Sequence, residues 1–315
     1  MKRREMLKLL GTGITAAGLS PVEIPVAAES VPQNSNDIKK PFRYSLNTGT
    51  LLGYNLSIEE EIDITAQAGY DGIEIWMMRL EKYIAEGKKL SDLKKRLDHH
   101  GLVLENAIGF APWIAEDPQK RSDGVAQMKR DMERIALLGG KSIAAPPSGA
   151  TDARINDLEA CGERYRQILE IGESIGVIPL LEVWGGSKTL RKLSDAVAVS
   201  VAAAHPQASL LLDAFHLYKG GNSFESLRQI NGASLHVFHL NDYPADPPRE
   251  TIADQDRVYP GDGVCPLNHV LEILYRAGFR EALSLELFNR SYWDTAKPLD
   301  VARTGLAKMK AVAEF

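Results

Sequence analysis

The sequence predicts a single (β/α)8 barrel, and three observations predict it. Eight short apolar runs alternate with eight longer amphipathic ones between residues 42 and 315, which is the pattern of βαβ units around a parallel sheet. Glycines stand where helices should stop, at Gly69, Gly139-Gly140, Gly176 and Gly278, as a left-handed helix terminus requires. The last four apolar runs each end in an ionisable residue, and the C-terminal ends of barrel strands form the active-site face. No Gly-x-Gly-x-x-Gly follows an early strand, which counts against an open doubly wound sheet.

The chain begins with a basic head, Lys2-Arg3-Arg4-Glu5-Met6-Leu7-Lys8, followed by a modest apolar stretch from Leu9 to Leu19 and a small-residue site at Val26-Ala27-Ala28. Residues 1–28 thus read as a signal peptide too short to span a bilayer. Their paired arginines resemble the twin-arginine export signal, which implies a periplasmic destination. Residues 29–41, rich in Ser, Pro, Gln, Asn and Lys, read as a linker. The barrel is expected over 42–315. Its strands are expected at 43–47, 72–76, 103–108, 142–145, 177–183, 209–213, 234–241 and 282–287. Helices are expected at 57–68, 90–100, 121–138, 157–175, 188–204, 224–230, 267–277 and 301–312. Ser57 ahead of Glu59-Glu60 suits an N-cap with an acidic first turn.

Composition limits the function classes. A net charge of -5 leaves no broad basic field for nucleic acid or anionic lipid. Cys161 and Cys265 lie outside any Cys-x-x-Cys or zinc-knuckle spacing, so neither a disulfide framework nor a thiolate metal site is indicated. The expected partner is a small molecule. Neither nucleic acid nor stable membrane association is expected, and a homodimer is the one protein assembly considered.

The strand ends carry the chemistry. Leu180-Leu181-Glu182, Leu211-Leu212-Asp213, Val237-Phe238-His239 and Ser284-Leu285-Glu286 close four consecutive strands at one height. A carboxylate in an apolar run is costly unless it is paired or bound to a cation. Three carboxylates and an imidazole converging on one mouth repel one another without a shared cation, so one divalent metal ion is expected on Glu182, Asp213, His239 and Glu286. Oxygen and nitrogen ligands without sulfur suit Mn, Zn, Co, Fe or Mg alike. A metal that chelates a carbonyl and its neighbouring hydroxyl acidifies the adjacent C–H by stabilising the enediolate. Glu182 and Glu286, on different sides of the barrel axis, could then remove and return a proton.

Other residues are expected around the substrate. His216 lies three residues past Asp213, and Arg257 sits in a long loop after the seventh strand, free to clamp hydroxyls or to pair with Asp254 or Asp256. Trp76, Phe110, Trp113, Trp184, Phe215 and Tyr259 offer apolar walls for a sugar ring. Glu74 and Asn106 end or interrupt the second and third strands as polar pocket candidates. His236 should face away from His239.

These stretches, with Leu212-Asp213-Ala214-Phe215-His216, His239-Leu240-Asn241-Asp242 and the loop Asp256-Arg257-Val258-Tyr259-Pro260-Gly261-Asp262-Gly263, resemble the xylose isomerase-like barrel superfamily. Within it they are similar to the sugar phosphate isomerase/epimerase branch, and in particular to the inosose (2-keto-myo-inositol) isomerases. The resemblance covers residues 42–315 and is densest after Glu182. It implies the same four metal ligands, a proton-transferring glutamate pair, and substrate contacts from His216 and Arg257. Inosose isomerases are cytoplasmic, so an export leader points to a keto-sugar or keto-glycoside found outside the cytoplasm. The expected function is therefore a metal-dependent isomerase or epimerase of a keto-polyol or keto-sugar. A lyase or hydratase of 3-keto-glycosides is the alternative, where the same proton abstraction ends in β-elimination. An abasic-site endonuclease would need more ligands and a basic groove. A non-catalytic periplasmic sugar-binding protein would have no use for two opposed glutamates.

Overall fold

A computed structural model describes residues 42–314; the leader expected at 1–28 and the linker expected at 29–41 lie outside the described residues. Eight parallel strands run in chain order: β1 Arg43–Asn47, β2 Gly72–Trp76, β3 Val103–Ile108, β4 Ser142–Ala145, β5 Ile178–Glu182, β6 Leu210–Asp213, β7 Leu235–Leu240 and β8 Ala282–Leu285. Their hydrogen-bonded order is β3-β2-β1-β8-β7-β6-β5-β4, so the sheet curls until its two ends, β3 and β4, face each other. At this seam the Ser142 hydroxyl donates to the Glu105 carbonyl (2.7 Å) and to Asn106 Oδ1 (3.1 Å), so a side chain bridges the two strands. The barrel is nearly closed.

Side-chain alternation sorts each strand into an inward and an outward set. Leu180, Leu211, Val237 and Ala282 pack with Ile108 and Ala144 in one cluster that fills the lumen. Two residues further along β5, β6 and β7 come Glu182, Asp213 and His239. The lumen therefore changes from apolar to ionisable within one layer. Outward residues join the helices in the larger core.

Two register shifts set the polar layer. Between β6 and β7, Leu210 faces Leu235 while Leu212 faces Phe238, so β7 carries one extra residue and His239 comes beside Asp213. Between β2 and β3, Ile73 faces Leu104 while Glu74 faces Asn106. Glu105 is the extra residue there, and its carboxylate accepts from Arg43 at 2.7 Å.

Helices cover the sheet largely where the sequence placed them, at Ile58–Ala68, Leu90–His100, Pro118–Leu137, Leu158–Ile175, Leu193–Ala203, Leu267–Arg276 and Pro298–Val312. Ser57 and Glu60 form the reciprocal capping box, and Gly69 closes that helix at φ 91°. The stretch expected to be helical from 188 begins only at Leu193, because Trp184–Arg191 turns back on itself: Ser187 N–H donates to the Trp184 carbonyl, and Leu190 takes φ 57°. Residues Phe224–Gln229 form a 3-10 rather than an α-helix. Of three further helices, Met77–Ala85 and Ala214–Lys219 follow directly on β2 and β6, and Arg290–Thr295 comes four residues after β8. Among the described residues, no helix is long and apolar enough to cross a membrane. Cys161 and Cys265 are free thiols.

Candidate metal centre

Asp213, His239 and Glu286 each offer a ligand atom, and these atoms all lie within 4.8 Å of one another, buried at the mouth of the barrel. His239 Nδ1 faces Asp213 Oδ2 at 3.6 Å and Glu286 Oε2 at 3.3 Å, with no hydrogen-bond partner of its own. Its other nitrogen, Nε2, lies 3.2 Å from the Glu74 carboxylate. A carboxylate only accepts, so Nε2 is the donor and the Nδ1 lone pair is left for the cluster.

Polar neighbours orient each member of the trio. Asn241 Nδ2 donates to Asp213 Oδ2 at 2.8 Å, and Asp213 Oδ1 caps the next helix through the His216 N–H at 2.7 Å. Asn47 Nδ2 donates to Glu286 Oε1 at 3.0 Å while its oxygen accepts from Trp76 Nε1 at 2.8 Å. Neither asparagine stood out in the sequence as a site residue.

Arg257 is buried and binds the cluster directly. Its Nη1 donates to Asp213 Oδ2 at 3.0 Å and to Glu286 Oε2 at 2.8 Å, and its Nη2 to Asp254 at 2.5 Å. Of the two pairings the sequence allowed, Asp254 is the one made. The loop that carries it is pinned by Asp242, whose carboxylate accepts the N–H groups of Tyr243, Gly261, Gly263 and Cys265 at 2.8 to 3.1 Å. A Cβ at Gly263 would fall 2.3 Å from Asp242 Oδ1, and Gly261 has φ 86°. Glycine at 261 and 263 thus lets this backbone wrap a carboxylate so tightly.

An open cavity of about 190 Å³ lies above the trio, lined by Glu182, Glu286, Asp254, Arg257, His216, Trp76, Ile108, Phe110, Trp184 and Phe288. The structure brings eight of the ten sequence-expected site residues to this cavity or to the trio below it, if Glu74 is counted through its contact with His239. Glu182 does not join the 4.8 Å group; its Cα pairs with Leu211, two residues short of Asp213, and it lines the cavity beside the trio instead. Trp113 is a correction. It lies wholly in the core, donating Nε1 to the Pro146 carbonyl at 2.8 Å and packing on Tyr165, because so large an apolar ring is better buried once its N–H finds a carbonyl. Glu74 and Asn106 are also corrected: both are fully buried and touch His239 or each other, with Asn106 Nδ2 donating to Glu74 Oε2 at 2.8 Å. Phe215 supports the Arg257 guanidinium from 4.7 Å, and Tyr259 stacks on Tyr292. Phe288, which lines the cavity, was not foreseen.

The charges are pushed apart. Burial raises the Glu182 carboxyl to about 8, with His239 lowering it and Glu286 and Asp213 raising it. Burial also opposes ionisation of Glu286, but His239 and Arg257 outweigh it and hold this group at about 2. Asp213 is likewise held well below the usual carboxylate range, as Arg257 and His216 overcome its burial. Burial disfavours a charge on His239, yet Glu74 and Glu286 raise it well above its ordinary value. The cluster thus calls for positive charge at Nδ1. A dication answers that call more fully than a proton, and the orphaned nitrogen with two flanking carboxylates is the donor set it would take. The residues fit a divalent metal.

Glu74 has a measurable part in this. Partners that orient a ligating imidazole typically change metal affinity 10- to 100-fold. Glu74→Gln is expected to weaken metal binding by about that factor, read by competition with a chromophoric chelator. An unchanged affinity would mean that Glu74 does not set the imidazole.

This architecture defines a barrel enzyme scaffold whose cluster at the strand ends could hold a metal ion. Residues 62–312 match the family model described as xylose isomerase-like TIM barrel, and the chain belongs to that family. Inosose isomerase from Bacillus velezensis is 29% identical over 246 residues, covering 76% of this chain and 86% of that protein. The crystal structure of IOLI protein with a binding zinc atom superposes with a TM-score of 0.80 at 25% identity, covering 86% of this chain and 98% of the other. A 3-dehydroshikimate dehydratase from Pseudomonas putida is 24% identical, covering 79% of this chain but 38% of its own length.

Proposed function

We propose that the chain is a divalent-metal-dependent isomerase or epimerase that moves a proton next to the carbonyl of a keto-sugar or keto-polyol. The observation that carries the proposal is the pairing of a three-donor cluster with two carboxyl groups driven in opposite directions. Inosose isomerases among its relatives, and the zinc in the IOLI structure, support the same class of reaction. Asp213, His239 and Glu286 would hold the metal, with Glu182 beside them. Bound there, the ion supplies Lewis-acid polarisation of the substrate carbonyl.

The chain's own residues do the rest. Without the metal, burial raises the Glu182 carboxyl to about 8 while His239 and Arg257 hold Glu286 low, so Glu182 is the better suited of the two to carry a proton and Glu286 to stay ionised. Groups whose environments separate their proton affinities are how one site supplies both acid and base. His216 and Arg257 line the cavity within reach of substrate oxygens, and the aromatic walls limit water.

The test is to incubate metal-loaded protein with a panel of keto-inositols and 3-keto-glycosides in D2O and follow deuterium entry by NMR. Deuterium is expected at the carbon beside the carbonyl. Glu182→Gln should slow it by about 10²- to 10⁴-fold, the usual worth of a positioned acid or base, with metal content retained. Absence of exchange from every substrate would sink the proposal. The dehydratase relative supports a second reading, in which the same proton abstraction expels a β-leaving group; release of water or an aglycone without a retained isomer would select it. Export by residues 1–28 remains a separate proposal, tested by fusing them to a reporter and locating it.

A further inference from the structure

The cavity's charge and its rings constrain what enters it. Glu182, Glu286 and Asp254 face the cavity, and Arg257 is the one cation among its lining residues. Both terminal nitrogens of Arg257 are committed to Asp213, Glu286 and Asp254. A phosphoryl or carboxylate group would find no uncommitted cation here, and a dication in the trio would only offset the carboxylates already present.

The rest of the lining is aromatic and continuous. Phe288 and Trp76 have centroids 5.9 Å apart, Trp76 and Phe110 5.5 Å, Phe110 and Trp184 6.1 Å, and Trp184 and His216 6.2 Å. One six-membered sugar ring stacks on about one such face, so the arc is longer than the ring that reacts. Its exposure is graded: His216 is buried, Trp76, Trp184 and Phe288 are half-buried, and Phe110 is 44% exposed at the rim. Phe110 packs against two tryptophans at the edge of the cavity, so it carries the aromatic arc out to solvent, where a ligand reaching past the reacting ring would meet it.

We propose that the substrate is an uncharged keto-sugar bearing a second ring, with the reacting ring over Glu182 and Glu286 and the appended ring on Phe110 and Trp184. This deepens the keto-sugar reading and rests on it. It makes Phe110 a specificity-determining residue.

The test compares 3-ketoglucose, its phenyl glycoside and 3-ketoglucose 6-phosphate on the metal-loaded full chain. The phenyl glycoside is expected to have a kcat/KM at least about tenfold above the bare sugar, the scale of one aromatic stacking contact. The phosphate should be the poorest of the three. Phe110→Ala should collapse the glycoside-to-sugar ratio to below about twofold, while Phe110→Trp keeps it. Preference for the phosphate, or equal loss on both neutral sugars in Phe110→Ala, overturns the proposal. Binding of unoxidised phenyl glucoside, read from tryptophan fluorescence, separates the two readings. If it binds through Phe110 but no keto form reacts, the second-ring subsite stands while the keto-sugar substrate and the isomerase reading fail.

Discussion

His239→Gln is expected to cost the enzyme its metal and at least about a thousandfold in kcat. Glutamine can still donate to Glu74, which replaces the Nε2–H contact made at 3.2 Å, but it has no Nδ1 between Asp213 and Glu286. Lewis-acid stabilisation supplies several kcal/mol, and each ~1.36 kcal/mol is a factor of ten. Removing the metal from the wild type with a chelator should give a loss of the same size, reversed by adding the ion back. Metal analysis, steady-state rates and thermal melting of both proteins check this together. Full activity in a chelated wild type, or in His239→Gln, would show that the trio holds no working metal.

Arg257→Ala is expected to make folding depend on metal. In the wild type the guanidinium neutralises Asp213 and Glu286 from within 3.0 Å, and it is 1% exposed. Removing one member of a buried charge pair typically costs about 3–5 kcal/mol, because the partner is left uncompensated. Melted with a chelator, Arg257→Ala should therefore fall by roughly 10 °C, taking about 2–4 °C per kcal/mol for a domain near this size. Adding the divalent ion should recover most of that loss, and should raise the variant's Tm by more than it raises the wild type's. Equal shifts in the two proteins would mean that the guanidinium and the metal do not serve the same carboxylates.

Much of this molecule was legible because the legible features carry a large energetic signal. Strand limits came out within two residues everywhere, since apolar runs between glycines leave few other places to put a buried sheet. Asp213, His239 and Glu286 stood out as charges at the ends of apolar runs, where burial is costly without a reason. Asn47 and Asn241 orient two of those ligands but are uncharged, so the costly buried charge that marked the ligands was absent at both. The helix Met77–Ala85 was missed because it follows β2 without a break and its N-cap, Trp76, makes no side-chain cap bond. Asp213 concealed the helix after it by ending β6 and capping Ala214–Lys219 at once. The extra residue on β7 that sets His239 beside Asp213 is a property of pairing between strands, which alternation within one strand does not show. Trp113 was assigned to the cavity on its type alone, and type does not say which side of a wall a ring takes.

The seam between β3 and β4 has a consequence for assembly during synthesis. The first three strands join the sheet through the pairing of Arg43 with Ala282 and of Leu46 with Leu285, partners at opposite ends of the described chain. While the ribosome is still translating the middle of the protein, β4 to β7 can lie side by side, but β1 to β3 have no backbone edge to join. Until β8 emerges, the side-chain bridge from Ser142 to β3 links the two groups of strands, and the backbone ladder of the barrel is completed last.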